Sequence, residues 1–287
     1  ATGLGIAVDA ASRGYKTLLI EKYDFAKGTS SKSTKLVHGG VRYLANGDVK
    51  LVMSALKERG LIFKNAPHVS FVQSFVIPSY NFFGKMKFLI GLKLYDWLAG
   101  KLRIGKSTLL SKAEVIEKLP KVKQKNLIGG IQYYDGQFDD ARLALNLGQT
   151  AHENGAVVLN YAEASAITKD AQGKVTGIEF IERESNKKYS IKSKSVINAT
   201  GIFVDDILKL DVAAHKNLVR PSQGAHIVID KKFLGNVDAL MIPETSDGRV
   251  LFGVPWHGKV LLGTTDTPLN EHQIEPRPLE EEIEFIL

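Results

Sequence analysis

The spacing of hydrophobic residues predicts a chain that alternates between helices and strands. Apolar residues recur at helical spacing in three segments, and short runs rich in β-branched residues indicate strands between them. The predicted helices cover residues 1–13, 47–64 and 141–154, and the predicted strands cover residues 15–22, 69–77, 157–167, 174–181, 188–193 and 195–199. Strands that alternate with helices are typical of a parallel sheet, and we expect residues 157–167 to enter that sheet. The strands that follow predict an antiparallel meander, after which residues 195–199 are expected to form one more buried parallel strand.

One further apolar segment, residues 82–106, also carries lysines at intervals and one tryptophan. One interpretation is a basic amphipathic helix that lies on an anionic membrane surface. The alternative, which we favour from the sequence, is a packed helix whose lysine stems cover apolar surface while their charges stay in water.

Composition narrows the class of protein. The chain has 287 residues, of which 44% are hydrophobic, and it contains no cysteine. Disulfides and thiolate chemistry are therefore excluded, which fits a reducing compartment such as the cytoplasm. The net charge of +7 favours acidic partners, for example phosphorylated metabolites, anionic lipids or nucleic acid.

The first 21 residues indicate a dinucleotide-binding unit. Gly3 and Gly5 lie in the first turn of a predicted helix, and the strand that follows ends in Glu21. The separation of Gly3 and Glu21 is close to the roughly 20 residues between a nucleotide-binding glycine loop and the acid that holds the ribose. We interpret Gly3 as the last glycine of a G-x-G-x-x-G motif whose preceding strand and first two glycines are missing. An ordinary helix–strand unit is the alternative.

Residues 29–44 form an unusually polar segment after that strand. They read Thr-Ser-Ser-Lys-Ser-Thr-Lys-Leu-Val-His-Gly-Gly-Val-Arg-Tyr-Leu. Since the segment follows a strand, we expect it at the carboxyl edge of a parallel sheet, where doubly wound folds bind ligands. The hydroxyls of Thr29, Ser30 and Ser31 can donate to a phosphate.

This segment resembles the signature of FAD-dependent glycerol-3-phosphate dehydrogenases and the related glycerophosphate oxidases. The resemblance continues through residues 66–68, 139–143, 196–201, 224–229 and 263–267, and so covers essentially the whole chain. One departure is Ile202-Phe203, where the family usually has Pro-Trp.

The resemblance implies an α/β fold in which a doubly wound, Rossmann-like FAD-binding domain is interrupted by a mixed-sheet α+β substrate domain. We place the FAD-binding domain at residues 1–66 and 137–211, without its first strand, and the substrate domain at residues 67–136 and 212–287, incomplete at its carboxyl end. Without the first strand and the first two glycines, part of the loop that binds the FAD pyrophosphate is missing. We therefore expect this chain alone to bind FAD weakly and to be inactive.

The implied reaction is the flavin-dependent oxidation of sn-glycerol 3-phosphate to dihydroxyacetone phosphate, with a quinone as electron acceptor. Arg42 is expected to bind the substrate phosphate, because its planar guanidinium matches phosphate oxygens, and Tyr43 to orient the same group. His226 is expected to hold the C2 hydroxyl or accept its proton. The residues expected to contact FAD are Gly3, Gly5, Glu21, Thr29, Ser30, Ser31, Lys35, Leu36, His38, Gly39, Gly40, Ala199, Thr200 and Gly201.

Several alternatives stay open at this point. Oxygen could replace quinone as acceptor, which would make the protein a glycerophosphate oxidase, and a related amine or amino-acid oxidase would share the same fold features. A noncatalytic nucleic-acid-binding module is disfavoured, because interleaved basic and aromatic residues occur only around residues 85–103. We expect no metal site, and a cytoplasmic location with the inner face of the cell membrane as a candidate peripheral site.

Overall fold

The computed structural model describes residues 1–45, 47–245 and 248–287, without the side chains of Arg42 and Ala45. The chain forms two compact units. Unit 1 contains residues 1–32, 140–222 and 268–276, and unit 2 contains residues 33–139, 223–267 and 277–287.

The described residues form helices and strands in roughly equal measure. The α-helices are α1 (Thr2–Ser12), α2 (Val41–Ala45), α3 (Val49–Asn65), α4 (Phe82–Leu98), α5 (Lys112–Lys118), α6 (Asp140–Glu153), α7 (Val204–Asp211) and α8 (Glu280–Ile286). The strands are β1 (Leu18–Ile20), β2 (Leu36–Val37), β3 (Ser70–Ser79), β4 (Thr108–Leu110), β5 (Gly129–Phe138), β6 (Val157–Leu159), β7 (Ala162–Lys169), β8 (Val175–Glu182), β9 (Lys187–Lys192), β10 (Ser222–Gln223), β11 (His226–Asp230), β12 (Ala239–Ile242), β13 (Leu251–Trp256), β14 (Lys259–Gly263) and β15 (Thr267–Pro268). The α/β class expected from the hydrophobic pattern is confirmed.

Unit 1 is built on a parallel pair of strands. β1 and β6 pair from Leu18 opposite Val157 to Ile20 opposite Leu159, and α1 packs against α6 through a cluster of small residues that includes Ala7 and Ala151. Gly14 ends α1 with φ +82°, a conformation that glycine adopts without steric cost. The predicted meander is confirmed as the antiparallel sheet of β7, β8 and β9.

Unit 2 is built on an eight-stranded mixed sheet. Its order is β11-β14-β13-β12-β3-β5-β2, and β4 also pairs with β5. Leu92 of α4 packs on the sheet with Phe75 and Tyr133, while Val115 of α5 packs in a second cluster with Val76. The sheet of unit 2 is therefore covered by helices that the sequence places directly after or between its strands.

Two features differ from the sequence-based expectations. Residues 195–199 were expected to form a strand, but among the described strands of unit 1 none pairs with them, so they lack the ladder hydrogen bonds that define a strand. Residues 33–66 lie in unit 2, because β2 pairs with β5 and α3 packs against α4. The predicted domain boundaries at 66/67 and 136/137 therefore do not coincide with the limits of the compact units, and the domain assignment itself stays a prediction.

The hydropathy of the helices bears on membrane association. In the part of the chain that the structure describes, no helix combines the length and the apolar composition needed to cross a bilayer.

Candidate functional site

The start of α1 and the segment after residue 198 meet in unit 1. A Cβ atom added to Gly3 would lie 3.4 Å from Ala199 Cβ, and one added to Gly5 would meet no atom within 4 Å. The first amides of a helix have no partner within the helix, so this end of α1 offers N–H groups on a surface formed by small side chains. Such a surface suits the phosphates of a nucleotide.

Glu21 lies directly after β1, as the sequence predicts. Its backbone continues the pairing of the parallel strands, because its N–H donates to Leu159 O at 2.8 Å and its carbonyl accepts from Ala162 N at 2.8 Å. One side-chain oxygen accepts the N–H of Tyr23 at 2.9 Å. The carboxylate is thereby held at the carboxyl end of a parallel strand.

The hydroxyl-rich segment Thr29–Ser31 forms a 3₁₀ turn in the same unit. Ser30 Oγ accepts a hydrogen bond from the backbone nitrogen of Ala1 at 2.7 Å, so the turn contacts the start of α1. Thr200 donates through its hydroxyl to Asn198 Oδ1 at 2.8 Å, and Gly201 has φ +60°. Unit 1 therefore brings together the expected nucleotide-binding residues on α1, after β1, in the 3₁₀ turn and around Ala199.

A charge cluster that sequence reasoning missed secures this turn. Glu275 forms ion pairs with Lys27 at 2.5 Å and with Lys32 at 2.9 Å. The hydrogen bond from Lys27, followed by that from Lys32, lowers the pKa of Glu275 from 4.5 to about 2. Glu275 lies at least 243 positions after both lysines in the sequence. No local sequence pattern could therefore have revealed the cluster.

This cluster predicts a pH-dependent stabilisation. Because the folded-state pKa of Glu275 is below its unfolded value, its contribution is fully present above pH 4.5 and is lost as the pH falls toward 2. The melting temperature of Glu275→Gln should therefore lie below that of wild type at pH 6, by an amount that shrinks toward pH 3 and in high salt.

The matched control for that prediction is Glu271→Gln, which changes an exposed acid of the same loop. A difference between wild type and Glu275→Gln that stayed constant from pH 6 to pH 3 would contradict the assigned role of the carboxylate. Thermal unfolding followed by circular dichroism provides the measurement.

In unit 2, residues 35–40 contain β2 and the His-Gly-Gly turn (residues 38–40) that connects it to α2. Lys35 has φ +61°, and its carbonyl accepts the N–H of Phe138 at 3.0 Å. Leu36 is partly buried against the core cluster of the sheet, whereas His38 is exposed. His38 Nδ1 accepts the N–H of Gly40 at 3.0 Å, so this contact favours the imidazole tautomer that carries its proton on Nε2.

His226 begins β11 and contacts Thr34, which lies in the same unit. Its Nε2 lies 2.8 Å from Thr34 Oγ1, and it is paired with Gly263 of β14. A Cβ at position 263 would lie 2.6 Å from His226 Cδ2, so the absence of a side chain there makes room for the ring. Unit 2 therefore brings His226 to residue 34, although the two are 192 positions apart in sequence.

Glu282, which the sequence did not single out, supports the strand that carries His226. Its Oε1 accepts the hydroxyls of Thr265 at 2.9 Å and Thr267 at 2.7 Å, and its Oε2 accepts the side-chain amide of Gln223 at 2.7 Å. Thr265 Oγ1 in turn accepts the N–H of Ala225 at 2.8 Å. One buried carboxylate thus fixes the residues that precede His226.

The two expected phosphate-binding residues lie on α2. The side chain of Arg42 is outside the described part of the structure. Tyr43 packs beside the cluster of Val52 and Leu56, and its ring covers Gly40, since a Cβ there would lie 2.7 Å from Tyr43 Cδ2. Within the described ranges, no group of three or more His, Cys, Asp or Glu side chains is arranged to hold a metal ion.

Comparison with known proteins connects this geometry to a family. The family model described as "FAD dependent oxidoreductase" matches residues 1–287. The chain is 42% identical over 303 residues to the mitochondrial glycerol-3-phosphate dehydrogenase of Schizosaccharomyces pombe, covering 100% of this chain and 47% of that protein. It is 41% identical over 288 residues to the aerobic glycerol-3-phosphate dehydrogenase of Staphylococcus epidermidis, covering 100% of this chain and 52% of that protein.

Solved structures give the same result. The glycerol-3-phosphate dehydrogenase from Bacillus halodurans, solved in complex with FAD, matches with a TM-score of 0.79 and 36% identity over 100% of this chain and 49% of that chain. The L-alpha-glycerophosphate oxidase from Mycoplasma pneumoniae has the same fold, with a TM-score of 0.73 at 17% identity over 99% of this chain and 73% of that chain. The chain spans about half the length of the first three of these proteins.

Proposed function

The chain belongs to the family of FAD-dependent oxidoreductases, and we propose that the protein oxidises sn-glycerol 3-phosphate to dihydroxyacetone phosphate. The observation that carries this proposal is the pairing of His226 with Thr34, because it joins the expected catalytic residue to the segment whose sequence resembles the family signature. The relatives that share 36% to 42% identity with the chain are themselves named glycerol-3-phosphate dehydrogenases.

The residues of unit 1 fit an FAD nucleotide. The first turn of α1 presents amides on a surface of small residues around Gly3 and Ala199, which suits a pyrophosphate. Glu21 is held after β1 by its contact with Tyr23, where a carboxylate can accept ribose hydroxyls. Thr29–Ser31 would add hydroxyl donors, and the turn at residues 38–40 would line the flavin ring. When bound, FAD supplies the two-electron acceptor.

The substrate is oxidised at its C2 hydroxyl, so the protein must bind the phosphate and accept one proton. We assign phosphate binding to Arg42, with Tyr43 beside it, and assign the hydroxyl to His226. The hydroxyl of Thr34 can donate to a neutral Nε2 and accept from a protonated one. It can therefore keep the imidazole oriented in both protonation states, which a group that takes up and releases a proton requires.

We propose dehydrogenase rather than oxidase activity, with a quinone as the electron acceptor. The named dehydrogenases share at least 36% identity with the chain, whereas the named oxidase shares 17%. The quinone is the acceptor that the resemblance to the family implies for the reduced flavin.

Anaerobic addition of glycerol 3-phosphate to the full-length, FAD-loaded protein tests the proposal. We expect bleaching of flavin absorbance, followed by rapid reoxidation by a soluble quinone analogue and slow reoxidation by oxygen. Bleaching by sarcosine or glycine, but not by glycerol 3-phosphate, would overturn the substrate assignment. Fast reoxidation by oxygen alone would overturn only the acceptor.

Arg42→Met should raise KM for glycerol 3-phosphate about 100-fold, because loss of a bidentate, charge-assisted contact removes roughly 3 kcal/mol of binding free energy. FAD binding should be unchanged. Arg103→Met, which removes an exposed arginine from unit 2, is the matched control and should leave KM unaltered. Steady-state kinetics with a quinone analogue measures both, and an unchanged KM in Arg42→Met would exclude Arg42 from the phosphate site.

For the membrane surface, we propose that the exposed face of α4 contacts anionic lipid. Phe83, Ile90 and Trp97 recur every seven residues and are 85%, 66% and 74% exposed, so they share one face of the helix. The opposite face is buried through Leu92 and Tyr95. Exposed basic residues, namely Lys87, Lys93, Lys101, Arg103 and Lys106, accompany the apolar face, and this combination favours an anionic membrane surface.

The double variant Phe83→Ser/Trp97→Ser should lower binding to vesicles of phosphatidylcholine and phosphatidylglycerol at least tenfold, since it removes two large apolar side chains from the proposed contact. Phe233→Ser, which changes an exposed phenylalanine elsewhere in unit 2, is the control. Flotation of the full-length protein measures the effect, and equal flotation of both variants would reject α4 as the contact.

A further inference from the structure

A buried charged network lies beneath the His-Gly-Gly turn, and the proposed reaction makes no use of it. Arg59 of α3 and Asp135 of β5 are 1% and 2% exposed, and Arg59 Nη1 donates to Asp135 Oδ1 at 2.9 Å. Asp135 Oδ2 accepts the hydroxyl of the buried Tyr95 of α4 at 2.7 Å. Burying a charged pair at this depth is costly unless hydrogen bonds satisfy both groups. The question is therefore what the buried pair contributes to the protein.

The network ends on the backbone of Gly39. Asp135 Oδ1 accepts the N–H of Gly39 at 3.3 Å and that of Gly136 at 2.9 Å. A Cβ atom added to Gly39 would lie 2.3 Å from the Tyr95 hydroxyl and 2.4 Å from Leu56 Cδ2. The backbone at position 39 is therefore in direct contact with the hydroxyl and the carboxylate, and any side chain there would displace Tyr95 or Leu56.

The direction of the Gly39 N–H fixes the rest of the turn. In a trans peptide the N–H and the preceding carbonyl point in opposite directions, so the carbonyl of His38 points away from Asp135. His38 itself is exposed, and its Nδ1 accepts the N–H of Gly40. Burial, and then the nearby Asp135 carboxylate, raise the pKa of Tyr95 well above its usual value, so Tyr95 stays a hydrogen-bond donor at any working pH.

We propose that Asp135, oriented by Arg59 and Tyr95, is a positioning residue that fixes the Gly39 peptide and thereby the flavin-facing geometry of the His38-Gly39-Gly40 turn. The inference rests on the proposed function, because it is that proposal which puts the flavin against this turn. Asp135 acts through the backbone and does not touch the cofactor.

Two tyrosine-to-phenylalanine variants of the full-length protein test the inference. Tyr95→Phe removes the hydroxyl that binds Asp135 and touches Gly39. Tyr133→Phe removes an equally buried hydroxyl of the same unit that donates to Met241 Sδ at 3.1 Å and is the matched control. The readouts are the dissociation constant of FAD from the apoprotein, the visible spectrum of the bound flavin and the melting temperature of the apoprotein.

We expect Tyr95→Phe to weaken FAD binding roughly tenfold, the equivalent of one lost hydrogen bond to a charged group, and to shift the flavin spectrum. Tyr133→Phe should leave the FAD affinity and the flavin spectrum unchanged. We expect the two variant apoproteins to melt at similar temperatures, so that a difference in FAD binding does not reflect a difference in stability. Equal FAD affinity and equal spectra in the two variants would overturn the inference. Failure of the wild-type protein to bind FAD would instead overturn the proposed function.

A second pair of variants keeps the inference testable if Tyr95→Phe does not fold. Gly39→Ala places a methyl group against the Tyr95 hydroxyl and should displace the turn, whereas Gly91→Ala in α4 adds a methyl group that meets no atom within 4 Å. We expect Gly39→Ala to weaken FAD binding more than tenfold and Gly91→Ala to leave it unchanged. Equal FAD affinity in both variants would reject the close contact at Gly39 as a determinant of cofactor binding.

Discussion

Arg59→Met is expected to lower the free energy of unfolding by about 3–5 kcal/mol, since removing one partner of a buried ion pair leaves an uncompensated charge. The charge concerned is the Asp135 carboxylate, which is 2% exposed and cannot recover water in the folded state. Its hydrogen bonds from Tyr95 and Gly136 would remain, but neither carries a compensating charge. Urea unfolding of the full-length protein gives the free energy directly.

The chain offers a matched control for this change. Arg13 pairs with Asp9 at 2.9 Å, the same distance as in the buried pair, but the two side chains are 67% and 63% exposed. Arg13→Met should change the free energy of unfolding by less than about 0.5 kcal/mol, because an exposed pair is screened by water and salt. Equal destabilisation by the two substitutions would mean that burial does not determine the strength of the pair.

Local sequence patterns predicted the elements that carry the proposed site, because those elements are set by neighbouring residues. The helix predicted over residues 1–13 is found as α1 (Thr2–Ser12), and Gly14 follows its end with a positive φ. Glu21 follows β1 as predicted, and Ser111 caps α5 through a capping box with Glu114, three residues further on. Each of these features depends on residues a few positions apart.

Features that depend on distant residues were beyond sequence reasoning. The apolar spacing of residues 47–64 predicted a helix, but not that Val52 and Leu56 are buried while Val49, Met53 and Leu61 are exposed. Periodicity gives the direction in which residues face but not the width of the surface that a partner helix covers. Residues 33–66 lie in unit 2 for a similar reason, since the contacts of β2 and α3 involve β5 and α4 further along the chain.

The proposed site shows the same division. The signature at residues 29–44 predicted which residue types are present, but not that Asp135 holds Gly39 or that Glu282 holds the strand before His226. Both carboxylates look like ordinary surface acids in the sequence. The functional residues of this chain are therefore recognisable from a motif, whereas the residues that orient them emerge only when β5 and α8 are placed beside them.

His226→Ala in the full-length, FAD-loaded protein is expected to slow flavin reduction by glycerol 3-phosphate about 10²–10⁴-fold, the range that a positioned acid–base group contributes. FAD binding should persist, because His226 is expected to act on the substrate hydroxyl rather than on the nucleotide. Thr34→Val should cause a smaller loss, since it removes the hydroxyl 2.8 Å from Nε2 but leaves the imidazole in place.

The control for this prediction is His257→Ala, because His257 is exposed at the turn between β13 and β14, where its ring contacts Trp256. That variant should reduce its flavin at the wild-type rate in anaerobic stopped-flow measurements. If His226→Ala also did so, the proton of the C2 hydroxyl would have to leave by another route. The contact between His226 and Thr34 would then serve only to fasten β11 to residue 34, and the proposed mechanism would have no group to accept the proton.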